Sequence, residues 1–102
     1  MEKRRYKRYR VSGQAEFRFG GVRATGELLD IGNGGVLMRS EEIPAQQTSL
    51  AFSFAVEGYP KALQAQGRVV YTQLNTLAVM FLGKVEGLEE LLRALEQKEQ
   101  KN

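Results

Sequence analysis

Six short runs of this sequence read as strands, most of them with apolar residues at every second position, and the period changes only once, near residue 85. Successive side chains of a strand point to opposite faces, so each run has one face to bury. Ala15, Phe17 and Phe19 alternate with Glu16 and Arg18. Gly20-Gly21 reads as a two-residue hairpin turn, after which Val22, Ala24, Gly26 and Leu28 alternate with Arg23, Thr25 and Glu27. Gly35 to Arg39 makes a short third run; Glu41-Glu42-Ile43-Pro44 then breaks the pattern, since proline lacks a donor and restricts its predecessor. Leu50, Phe52, Phe54 and Val56 form the fourth run, Leu63 to Tyr71 the fifth, and Leu77, Val79 and Phe81 the sixth. Gly67 inside the fifth predicts a bend or bulge. From about 85 to 97, Val85, Leu88, Leu91, Leu92 and Leu95 fall at helical spacing, opposite Glu89, Glu90, Arg93 and Glu96. Ala78, Met80 and Leu82 make the other face of the sixth run apolar too, and this helix is the element available to cover it.

Six strands with tight turns and one helix predict an all-β fold with a C-terminal helix, a six-stranded antiparallel β-barrel. Closure removes the edges that an open sheet must protect. At 102 residues the chain is one domain's worth. The expected division is a flexible basic arm over 1–12, the barrel and helix over 13–97, and a polar tail over 98–102. Phe17, Phe19, Phe52, Phe54 and Phe81 belong to the core on this reading, because they occupy the inward positions of their runs.

Charge separates the arm from the rest. Residues 1–10 hold six basic side chains against Glu2, a net +5, so the chain's total of +3 leaves −2 for everything after them. An anionic partner is therefore expected at the arm, and a barrel coated in positive charge is not. The sequence has no cysteine and no histidine. Thiolate chemistry, disulfides, and the commonest general base and metal ligand are all missing, so neither catalytic nor metal-binding residues are expected. No run approaches the roughly 18 apolar residues of a membrane span, and the first ten lack the apolar segment of a signal peptide; a cytoplasmic protein is expected.

Asp30-Ile31-Gly32-Asn33-Gly34-Gly35 lies between the second and third runs. Its glycines predict a reversal with positive φ. Asp30 offers an acceptor-only carboxylate, suited to the N–H donors of a nucleobase edge. Upstream, Arg4-Arg5-Tyr6-Lys7-Arg8 supplies guanidinium groups with no fold-forming pattern. Carboxylate and arginines together make a reader of guanine and phosphate.

The ordered pair Arg4-x-x-x-Arg8 and Asp30-x-Gly32-x-x-Gly35 resembles the signature of the PilZ domain family, RxxxR followed by [D/N]xSxxG. The resemblance continues through Gly67-Arg68-Val69-Val70 and Leu77-Ala78-Val79-Met80-Phe81, and so covers nearly the whole chain. It implies a six-stranded barrel with a C-terminal helix and a receptor for cyclic di-GMP. Arg4 and Arg8 would bind guanine or clamp phosphate, Asp30 would accept from one guanine, and Gly35 would let the backbone approach closely. Lys3, Arg5, Arg10, Gly32, Asn33, Gly34 and Arg68 are secondary candidates, Arg68 being better placed for a surface salt bridge than for the ligand. Tyr6 is open to two roles, stacking on a base or pinning the arm. Lys3, just before the motif, leans toward binding an intercalated ligand dimer. Gly32 stands where the family pattern has serine, so a hydroxyl hydrogen bond of roughly 0.5–1.5 kcal/mol is absent.

The function so implied is a stand-alone receptor, monomeric or weakly dimeric, whose arm moves on binding and signals to an unidentified effector protein. Two alternatives remain. One is an adaptor of the same fold that binds no nucleotide, motivated by Gly32. The other is a nucleic-acid-binding barrel, which the negative charge after the arm disfavours.

Overall fold

The computed structural model describes residues 7–100. Its strands are β1 (Arg8–Arg10), β2 (Gly13–Phe19), β3 (Val22–Gly32), β4 (Gly35–Arg39), β5 (Ser49–Val56), β6 (Leu63–Gln73) and β7 (Thr76–Phe81), followed by helix α1 (Leu88–Gln100). The sheet runs β3-β2-β5-β6-β7-β4, and β4 pairs again with β3, closing a six-stranded antiparallel barrel. Alternation does what it promised inside: Phe17, Phe52, Phe54, Ile31, Val69, Leu77 and Val79 are buried in one cluster. Gly20 and Gly21 take φ of 52° and 81°, the pair of positive values that a tight hairpin turn between Phe19 and Val22 requires.

Four expectations are corrected. First, the arm is not free through residue 12. Arg8–Arg10 form β1, which pairs Arg8↔Gly32, Tyr9↔Ile31 and Arg10↔Asp30. Between Arg10↔Asp30 and Gln14↔Glu27 the register slips by one residue, so β1 and β2 follow one line along β3 with a bulge at Val11-Ser12. The basic run hid a three-residue alternation, in which Tyr9 is buried between two exposed arginines.

Second, Gly67 is not the bulge. The register runs unbroken through Leu50↔Gly67↔Phe81, and the irregularity falls at Val70, between Val69 and Tyr71. Gly67 is small because a side chain there would collide with Val79 and stand 3.0 Å from the Phe52 ring. Third, none of Gly32, Gly34 and Gly35 takes positive φ. Gly32 and Gly35 serve close approach instead, as described below.

Fourth, the helix starts at Leu88 and runs to Gln100, not from 85 to 97. Gly87, with φ of 85°, precedes its first turn, and Glu89 and Glu90 favour the positive end of its dipole. Lys98 to Gln100, expected in a polar tail, continue it. Leu88 and Leu91 join the barrel core, while Met80 on the outer face of β7 stays 39% exposed. The helix therefore does not cover that face. Glycine turns at Gly83 and Gly87 bring it instead toward Leu63. Among the described residues no helix is long and apolar enough to cross a membrane.

Candidate functional site

Strand geometry builds the site on the outer face where β1 meets the end of β3. Partners directly opposite one another share a face. Arg8 opposite Gly32 and Arg10 opposite Asp30 therefore bring two cations, one carboxylate and one bare backbone position together on one wall. Tyr9 and Ile31 point the other way, into the core.

The Arg8 guanidinium grips Asp30. Its Nε donates to Asp30 Oδ1 at 3.0 Å, and its Nη2 donates to the same oxygen. Both side chains are partly shielded, Arg8 at 35% and Asp30 at 24% exposure. Asp30 Oδ2 receives no hydrogen bond from any described residue.

Gly32 makes this geometry possible. A Cβ there would lie 2.9 Å from the Lys7 carbonyl oxygen and 3.4 Å from Arg8 Cγ. The space a serine would fill is taken by the backbone and aliphatic stem of the arm. Gly35 answers to a different neighbour: a Cβ would overlap the Val79 carbonyl oxygen and approach Met80 Cα to 3.1 Å. The requirement for glycine at 35 lies in the β4–β7 contact, inside the protein. Asn33 and Gly34 form the exposed tip, and Gly34 has open space around it.

The remaining candidates separate. Arg10 gains weight, because its direct partner is Asp30. Arg68 lies on β6, opposite Met80, whose other partner is Gly35; it is two strands from the glycine and three from Asp30. It forms no salt bridge among the described residues. Lys3, Arg4, Arg5 and Tyr6 lie outside the described residues.

Four residues, Lys7 and Tyr9 of the arm and Glu96 and Glu99 of α1, join the arm to the helix on its other side. Tyr9 Oη donates to Glu96 Oε1 at 2.7 Å. Lys7 Nζ donates to the same oxygen at 3.3 Å and to Glu99 Oε1 at 2.8 Å, and lies 5.3 Å from the centre of the Tyr9 ring. The hydrogen bonds to Glu99 and Glu96 raise the Lys7 pKa; those from Tyr9 and Lys7 lower that of Glu96. The Tyr9 hydroxyl is raised by its bond to Glu96 and then by burial. The one signal for this in the sequence is Tyr9 alternating with Arg8 and Arg10.

A cleft of about 730 Å³ adjoins the site, with Arg10, Asp30 and Leu37 on one side and Leu95, Lys98 and Glu99 of α1 on the other. A smaller cleft of about 370 Å³, lined by Arg18, Arg23 and Lys84, holds none of the motif residues. Among the described residues no group of three acidic side chains could hold a metal ion. The site's chemistry is that of charge and hydrogen bonding.

The family profile described as PilZ domain matches residues 2–97. The fold is similar to the PilZ domain with c-di-GMP of YcgR from Escherichia coli, with a TM-score of 0.72, 16% identity, and coverage of 98% of this chain and 96% of that one. It is also similar to the PilZ domain of CeSA from a cellulose-synthesizing bacterium, with a TM-score of 0.67, 15% identity, and coverage of 91% and 98%. No curated protein matches the chain.

Proposed function

Because this chain belongs to the PilZ domain family, we propose that it is a receptor for cyclic di-GMP, a binding module and not an enzyme. The observation that carries the reading is the meeting of Arg8 with Asp30, 22 positions apart, on a wall that also bears Arg10. Support comes from the similar Escherichia coli domain, whose structure is described with c-di-GMP.

The ligand brings two phosphates and two guanines. Asp30 accepts from the N1 and N2 donors of one guanine, and among the described residues its Oδ2 receives no hydrogen bond. Arg8 and Arg4 bind phosphate oxygens or the O6/N7 edge through planar, bidentate forks that lysine does not reproduce. In the free protein Arg8 and Asp30 satisfy one another, so binding is an exchange of partners. Charged groups already partly shielded from water need less desolvation to take a new partner. Lys3, Arg5, Arg10, Gly32, Asn33, Gly34 and Arg68 complete the proposed set around Arg4, Arg8 and Asp30, with Gly35 contributing through the β4–β7 contact that seats the turn. The arm's changed position is what a partner protein would read in the cytoplasm, from a monomer or weak dimer.

Isothermal titration of cyclic di-GMP into the purified chain, with GTP and cyclic di-AMP as controls, tests this. Saturable binding of cyclic di-GMP alone is expected, and the stoichiometry gives one ligand or two. Arg8→Ala and Asp30→Ala each remove charge-assisted hydrogen bonds worth about 1.5–3 kcal/mol, so each should weaken binding roughly tenfold or more. Unchanged affinity in both variants, or silence from folded wild-type protein, refutes the proposal. The second reading, an adaptor that binds no nucleotide, is favoured by the self-satisfied Arg8–Asp30 pair and the missing hydroxyl at Gly32; silence would select it.

A further inference from the structure

β1 is only three residues long, yet its two faces are tied to two different parts of the molecule. Outward, Arg8 holds Asp30 at the end of β3. Inward and just before it, Tyr9 and Lys7 hold the last turns of α1 through Glu96 and Glu99. The Glu96 carboxylate is the hub: Oε1 accepts from Tyr9 and Lys7, and Oε2 accepts from Gln100 Nε2 at 3.0 Å. Helix formation does not by itself select Glu99 near a C-terminus, where the negative end of the dipole disfavours a carboxylate. A cation delivered by the arm, Lys7 at 2.8 Å, offsets that repulsion.

Tyr9 is the rigid link. Its ring is buried at 8% exposure, and its backbone pairs with Ile31, which is fully buried. Fixing the Tyr9 hydroxyl fixes the strand, and a strand fixed at Tyr9 presents Arg8 to Asp30 on the opposite face. We infer that Glu96 is a positioning residue for the arm: by holding Tyr9 and Lys7 it sets the place of Arg8, so that ligand occupancy and the seating of the last turns of α1 are one coupled equilibrium. This rests on the reading of the site as a cyclic di-GMP receptor. Coupling is reciprocal, so the ligand that recruits Arg8 also changes the hold on α1, and the C-terminal turns become a place where occupancy is legible to a partner.

The test combines a ligand-free and a ligand-bound readout on wild type, Glu96→Ala, Tyr9→Phe, Arg8→Ala and the Glu96→Ala/Arg8→Ala pair. In the free protein, the Val11 amide, which donates to the Leu29 carbonyl at 3.2 Å, reports on β1; the Val69 amide, which donates to Thr48 at 2.9 Å, reports on the barrel. Glu96→Ala should speed hydrogen exchange at Val11 and leave Val69 unchanged. Titration of cyclic di-GMP should show Glu96→Ala and Tyr9→Phe binding roughly fivefold or more weakly than wild type. In the Arg8→Ala background, Glu96→Ala should have little further effect, because the residue it positions is gone. Full additivity in that background, or unchanged Val11 exchange, overturns the inference. If wild type binds no cyclic di-GMP, the receptor reading fails and the Val11 exchange alone decides the positioning role.

Discussion

Gly35→Ala is the substitution whose outcome the structure dictates most sharply. A Cβ at that position would overlap the Val79 carbonyl oxygen and stand 3.1 Å from both the Val79 carbonyl carbon and Met80 Cα. These are backbone atoms, and no rotamer change removes them. Carbon atoms prefer separations of about 3.5–4.0 Å, so β4 must move off β7 at the pair Gly35↔Met80. β4 is also the strand that closes the barrel onto β3, so the displacement loosens two ladders at once. Overpacking of this kind costs about 1–3 kcal/mol, and the immobility of the obstacle argues for the upper end. For a domain of this size that corresponds to a fall in Tm of about 10–20 °C. Gly34→Ala is the matched control: it adds the same methyl group next door, where nothing lies within 4 Å and φ is not positive. Thermal unfolding followed by circular dichroism, without ligand, should show Gly35→Ala strongly destabilised and Gly34→Ala within about 1 kcal/mol of wild type. Equal melting of the two variants would refute the claim that Gly35 is required by the sheet. The comparison also guards the binding experiments, because a variant that loses ligand by losing its barrel says nothing about contact.

Leu74 occupies the turn between β6 and β7 with φ of 46° and 90% exposure. Leu74→Asn should stabilise the protein by about 1 kcal/mol, since asparagine tolerates that conformation and no packing is lost; a urea midpoint at or below wild type contradicts this. The arm's anchorage should depend on pH with a definite sign. Glu96 is held below its ordinary 4.5 by Tyr9 and Lys7, so its contribution is complete above 4.5 and is lost as pH falls through the lower folded value. Tyr9 is held above 10.0, so its contribution is complete below 10.0 and is lost as pH rises through the higher folded value. The stability difference between wild type and Glu96→Ala, from urea denaturation, should therefore be flat through neutral pH and shrink at both extremes. A difference that grows on acidification would contradict the anchorage.

The sequence by itself determined the strands of the barrel, their hairpins and the helix that follows, because each is written in a local period or a local turn. The alternation of Phe17 with Glu16 and Arg18, or of Ala65 with Gln64 and Gln66, is a property of a few adjacent residues, and burial of one face follows from it. It also singled out Arg8 and Asp30 as residues to watch, through the resemblance of their motifs. Tertiary structure alone decided what those residues touch. The partnership of Tyr9 with Glu96 joins positions 87 apart, and nothing near either residue announces the other. The same holds for Gly35, whose small size answers to Val79 on a strand more than forty residues further along the chain. The sequence read the Asp30–Gly35 glycines as turn-formers because φ is a local matter; their actual role at Gly32 and Gly35 is clearance, and clearance depends on which atoms of a distant strand arrive beside them. The helix position failed for a related reason. An apolar stripe states that a face will be buried but not against what, and the turns at Gly83 and Gly87 sent it to the core near Leu63, not over Met80.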